Sequence, residues 1–178
     1  MVSLIIEELK GRARLFSGEY GAYYEQIVKD SKPVNCVPMK AVFTPEQMQF
    51  IKDCGYKAKK KQCYQNASRL IDCLELMKEY FDIPPFKYVE GFARTFLLNI
   101  EHAFVRVGDK YIDPTFERAL KLNVLQEEYV SSIELEPFEM RKMEAETGYY
   151  GELYQYSYMK RFRPEMAAKI RSLNPFSK

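Results

Sequence analysis

The clearest hydrophobic pattern in the chain starts at Cys63. From there Ala67, Leu70, Ile71, Leu74, Met77 and Phe81 recur at spacings of three and four. That is one buried stripe of a helix, and it predicts a helix ending near Ile83-Pro84-Pro85. Downstream the period changes. Residues 88–92 read as a strand, a loop is expected near residues 97–99, and two runs rich in Val, Ile, Phe and Tyr flank Gly108-Asp109. A glycine-first pair of this kind closes two-residue hairpin loops. Upstream, residues 3–16 and 19–29 read as helices separated by Ser17-Gly18. Thr44-Pro45-Glu46-Gln47 opens another, with Thr44 as cap and Gln47 placed to complete a capping box, and Gly55 ends it. After the hairpin the pattern weakens: residues 120–130 are expected to be helical, 132–135 extended, and 165–173 helical behind Pro164. The whole predicts an α+β fold, with helices packed on an antiparallel sheet.

The two-residue loop has a consequence for side-chain direction. It pairs Val107 with Lys110, Arg106 with Tyr111, Val105 with Ile112 and Phe104 with Asp113. Because side chains alternate along a strand, His102, Phe104, Tyr111 and Asp113 then share one face, and Ala103, Val105, Val107 and Ile112 share the other. Asp113 becomes the diagonal neighbour of His102, at roughly 7 Å between backbone positions, within reach of a ring nitrogen. A three-residue loop would slip the register by one and turn Asp113 away.

Cys63 lies on the apolar stripe at the start of its helix. Unpaired N–H groups and the positive end of the helix dipole favour a thiolate there, and Lys57, Lys59, Lys60 and Lys61 add to the effect. The chain thus offers a thiol, an imidazole and a carboxylate in the order Cys63, His102, Asp113. That set suits nucleophilic cysteine catalysis, in which the carboxylate fixes the imidazole tautomer and stabilises its charged form.

Composition narrows the alternatives. A chain of 178 residues, 47% hydrophobic, has the material for one good core and a single domain. Cys36, Cys54, Cys63 and Cys73 form no CxxC pair, and with one histidine they complete no usual zinc pattern. No metal site is expected. Residues 1–10 lack the long apolar stretch of a secretory signal, and no run reaches the ~18 apolar residues of a membrane span. A cytoplasmic protein with reduced thiols and no membrane partner is the expectation. Net charge is only +2. The basic, tyrosine-rich stretch with Tyr154, Tyr156, Tyr158, Lys160, Arg161, Phe162 and Arg163 could stack on single-stranded nucleic acid. Dense tyrosines more often line a core or a contact, so nucleic acid is not the favoured partner.

Lys61-Gln62-Cys63-Tyr64-Gln65-Asn66-Ala67, Tyr88-Val89-Glu90-Gly91-Phe92, His102-Ala103-Phe104 and Tyr111-Ile112-Asp113-Pro114-Thr115 together resemble the core of the transglutaminase-like branch of the papain-like cysteine enzymes. The resemblance covers residues 57–117, about a third of the chain. It implies a central helix headed by the nucleophile Cys63, with His102 as general base and then acid and Asp113 as orienter on adjacent antiparallel strands. Residues 1–178 would then form one papain-like domain, with 1–56 as a helical N-terminal elaboration. The chain departs from the family in having no tryptophan, with Phe104 and Tyr111 at positions where the family often has one. Where papain keeps an oxyanion glutamine, this chain has Lys57. The N–H of Cys63 can supply one oxyanion donor, and Gln62 or Tyr64 is a candidate for a second. Glu90, beside Gly91, is a further cleft candidate.

Each residue also has a plain structural reading. Cys63 can be a small buried hydrophobe, Asp113-Pro114-Thr115 a turn, and Glu90 first of all a strand residue facing solvent. Order, spacing and shared face favour the triad. The expected activity is that of a cysteine-dependent acyl-group enzyme: amide hydrolase, peptidase, deamidase or transamidase. Its substrate would be a protein, a peptide or a small amide, with no organic cofactor and no metal. The alternative is a catalytically inactive transglutaminase-like module that binds a protein or peptide. Oligomeric state is left open by the sequence.

Overall fold

The computed structural model describes residues 3–96 and 98–174. Its centre is one five-stranded antiparallel sheet built from β1 (Lys32–Val34), β2 (Phe86–Thr95), β3 (Leu98–Val107), β4 (Lys110–Ile112) and β5 (Glu128–Leu135), in the order β1-β5-β2-β3-β4. Seven helices are described: α1 (Leu4–Leu15), α2 (Gly18–Asp30), α3 (Pro45–Asp53), α4 (Cys63–Met77), α5 (Pro137–Thr147), α6 (Leu153–Phe162) and α7 (Pro164–Leu173). The fold is therefore mixed α+β, with several helices on an antiparallel sheet, as the periodicities predict. Among the described residues no helix is long and apolar enough to cross a membrane.

The two faces of the sheet differ. On one, the α4 stripe of Ala67, Leu70, Ile71, Leu74 and Met77 is fully buried against Tyr88, Ala103, Val105, Val107 and Ile112, with α3, α5, α6 and α7 completing the layer. Each such aliphatic side chain contributes ~1.5–3 kcal/mol by leaving water, which makes α4 the anchor of this face. Further along the same face, Ile5 and Leu9 of α1 and Ile27 of α2 pack on Phe92 and Val130. Among the described residues the opposite face carries no long helix. There Val89, Ala93, Phe104 and Tyr129 are covered by Cys36 from a loop and by Phe116 and Val124 from two short helical turns.

The helix starts follow their caps. Ser3 caps α1 by accepting from the N–H of Ile6, and Thr44 with Gln47 forms the expected capping box on α3. Four expectations need correction. Helix α4 ends at Met77, well before Pro84-Pro85, and residues 78–80 form a turn. Pro84 forces the residue before it out of the helical region, and the chain must already be extended to enter β2 at Phe86. The loop near residues 97–99 is shorter than expected, because Leu98 and Asn99 already pair with Thr95 and Arg94. Leu97 itself lies outside the described residues. Residues 120–130 are not a helix: Lys121 turns left-handed (φ 60°), a single 3₁₀ turn spans Val124–Gln126, and β5 starts at Glu128. Tyr129, Val130 and Ser131 are held by ladders to β1 and β2, and that pairing overrides the weak helical spacing. Finally, the N-terminal 56 residues are not all helical, since β1 forms an edge of the sheet.

Candidate active site

The β3–β4 hairpin has the predicted register. Val107 pairs with Lys110, Arg106 with Tyr111 and Val105 with Ile112. Gly108 takes φ 60° at the first loop position, which a residue with a Cβ would adopt only with strain. The register puts His102 and Asp113 on the aromatic face, where His102 Nε2 lies 2.7 Å from Asp113 Oδ2 with the two side chains 1% and 0% exposed. The ring is packed against Phe116, with centroids 4.4 Å apart.

Asp113 performs both roles that its sequence context allowed. Its Oδ1 accepts the N–H groups of Thr115 (2.9 Å) and Phe116 (3.0 Å), which starts a single π-helical turn over Thr115–Leu120. Its Oδ2 accepts from His102 and from the Tyr129 hydroxyl at 3.1 Å. The turn and the imidazole are thus served by different oxygens of one carboxylate.

β4 pairs only with residues 105–107 of β3, so the stretch bearing His102 is open on that side. The start of α4 meets it there. Asn66, fully buried in the first turn, donates to Thr115 Oγ1 (3.0 Å) and to the carbonyl of Lys59, and accepts the Lys59 N–H. This clamp ties α4 to the turn that follows Asp113. Cys63, half-buried at the first helical position, lies beside the imidazole, close enough to act on its protonation. His102 Nδ1 is buried and makes no hydrogen bond with any described residue. Burial alone would lower the imidazole pKa. The charge and hydrogen bond of Asp113, with a contribution from Cys63, outweigh it and hold the pKa up at about 10.

The structure therefore brings Cys63, His102 and Asp113 together and treats the other candidates differently. Gln62 is the N-cap of α4; its side chain makes no cap bond and its Oε1 is buried without a partner among the described residues. Tyr64 and Glu90 face away from the imidazole. Glu90 neighbours Gly91, which pairs directly with His102, so its side chain falls on the helical face. There Tyr64, Glu90, Glu101 and Tyr154 line a small cleft of about 30 Å³ between α2 and the starts of α4 and α6. The expectation that Glu90 faces solvent is corrected: it is 4% exposed and accepts from the Tyr88 hydroxyl (2.7 Å) and the Tyr154 N–H (2.9 Å). Burial pushes its pKa up to about 7. The basic aromatic stretch is helix α6, with Tyr156 buried, Lys160 paired to Glu146 and the following Arg163 paired to Glu19 and Glu165. Cys36 and Cys73 are buried and Cys54 caps the end of α3.

Two contributors escaped sequence reasoning. Asn66 had a signal, a polar residue beside the apolar stripe of α4. Tyr129 had none that could be used, because the segment holding it was expected to be helical. A scan against protein-family models and searches of curated proteins and of solved structures found no match to the chain.

Proposed function

We propose that the chain is a cysteine-dependent acyl-group enzyme with a transglutaminase-like, papain-type arrangement. With its proton held on His102 Nδ1, the Cys63 sulfur attacks the carbonyl carbon of an amide or ester. The tetrahedral adduct collapses when the imidazolium returns that proton to the leaving amine or alcohol, and a thioester remains on Cys63. Water or an amine then attacks the thioester, again giving its proton to Nδ1, and the thiol is released. Asp113 holds the ring through Nε2 throughout. The N–H of Cys63, at the uncapped start of α4, is one donor for the oxyanion.

One observation carries this reading: His102 spends Nε2 on a buried carboxylate and keeps Nδ1 unpaired beside the only thiol that heads a helix. The test is labelling by a thiol-directed acyl or amide probe, read by mass spectrometry. The parent is expected to be modified at Cys63 and the Cys63→Ala variant not at all. Equal labelling of the two removes Cys63 from the mechanism.

The burial of His102, 1% exposed, favours a second reading in which the surface around Cys63 binds a protein or peptide and performs no chemistry. Release of product from an acyl or amide probe separates the two: the enzyme turns the probe over, whereas the binding module holds it unchanged.

A further inference from the structure

Tyr129 sits on β5 with its ring packed edge-on to Phe104 (5.6 Å between centroids) and tilted against Phe116 (6.0 Å). It is fully buried, and its hydroxyl reaches the same Asp113 oxygen that accepts from His102. We propose that Tyr129 is a positioning residue that sets how strongly Asp113 holds the His102 imidazolium, because the two donors share Oδ2.

A carboxylate has about four lone-pair sites, and here all four are used: two by the Thr115 and Phe116 N–H groups, one by His102 and one by Tyr129. Oδ2 cannot swing off the ring nitrogen without breaking another bond. Each bond is charge-assisted, so each donor also draws negative charge toward itself and away from the others. Burial first, and then the charge of Asp113, push the Tyr129 hydroxyl far above the ordinary phenol range, so it stays a donor at every working pH. The other titratable groups around this centre are Cys63 across the ring, Cys36, Tyr56 and Glu127. Cys36 is held neutral chiefly by burial, with the Asp113 charge adding to it, and so does not compete as a second thiolate. Removing the Tyr129 hydroxyl leaves Oδ2 to the imidazolium alone, and the ring then keeps its proton to higher pH.

The inference rests on reading Asp113 as the orienter of a basic His102, and it needs no assignment of the reaction. His102 is the only histidine in the chain, so its NMR signal needs no sorting from others. Titration of the full-length parent and of Tyr129→Phe, which keeps the ring packing, is expected to show the imidazole midpoint rising by about half a unit to one unit in the variant. An unchanged or lowered midpoint overturns the proposal. A second arm keeps the ring and its packing whether or not Tyr129→Phe folds. 3-Fluorotyrosine placed at position 129 alone has a more acidic hydroxyl and donates more strongly, so the midpoint is expected to fall below the parent's, and an unchanged or higher one overturns the proposal. A parent imidazole titrating at its ordinary value would remove both the carboxylate pair and this role. Labelling that persists in Cys63→Ala while the midpoints move as expected would sink the enzyme reading and leave the role of Tyr129 standing.

Discussion

Asp113, on the aromatic face of the sheet, receives four hydrogen bonds, one of them from an imidazole with its pKa raised to about 10. Glu90, on the helical face one residue from the partner of His102, accepts only from neutral donors, a tyrosine hydroxyl and backbone N–H groups at the start of α6, and burial pushes its pKa up to about 7. Both carboxylates are removed from water. The difference shows that the kind of donor, more than depth, decides what a buried acid does. A carboxylate facing a cation and saturated with donors becomes a fixed point for orienting a ring. One that meets neutral donors alone becomes a group that titrates near neutrality at the expense of stability.

The strongest way to break this comparison is Asp113→Ala. It strips four donors of their acceptor and leaves a buried imidazole without its counter-charge, and about 3–5 kcal/mol of stability should be lost. Chemical denaturation would measure this, and a loss under 1 kcal/mol would contradict the saturated site. Asp113→Asn keeps the shape, so its larger effect should fall on Cys63 labelling, slowed by roughly 10²- to 10⁴-fold if the proposed chemistry is right.

Gly91→Ala tests the close approach that separates the two faces. A Cβ there would overlap the carbonyl oxygen of Val130, at the bulge between β2 and β5 opposite His102. The backbone has to move, and about 2–4 kcal/mol should be lost. An unchanged unfolding midpoint would show that the bulge relaxes freely.

The smallest expected effect sharpens the Glu90 side. A carboxyl raised from 4.5 to about 7 contributes stability that is fully present below pH 4.5 and lost as pH rises through about 7. Glu90→Gln has no such loss. The difference between variant and parent should therefore move in the variant's favour by about 2–3 kcal/mol between pH 5 and pH 8. His102 titrates in both proteins and cancels in that difference, whereas Glu144, pushed up to about 7 by burial and in part by the charge of Glu90, is partly relieved in the variant and adds to it in the same direction. A pH-independent difference in urea unfolding would disprove the titration of Glu90.

Much of the site was legible because its parts obey short-range rules. The α4 stripe needed only a period of three to four residues, and the His102 and Asp113 faces needed only a two-residue loop and strand parity. Where the sequence misled, competing local signals were weak and a distant partner settled the matter. Residues 128–130 became strand because β2 was there to pair with them, and α4 stopped at Met77 because residues 78–85 must turn toward β2. Glu90 looked like a surface acid because nothing local reveals that the start of α6, 64 positions later, covers it.

By itself, the sequence determined where a helix starts with a thiol, which loop closes the hairpin, and hence which side of the strands carries the imidazole and the acid. Those features follow from backbone geometry over a few residues. Only the tertiary structure decided that α4 begins at the open edge of β3, that Asn66 reaches a threonine 49 positions later, and that a tyrosine 16 residues beyond Asp113 completes its shell. Such contacts form when separate apolar faces are buried against one another, and the polar groups trapped between them must then find partners wherever packing has placed them.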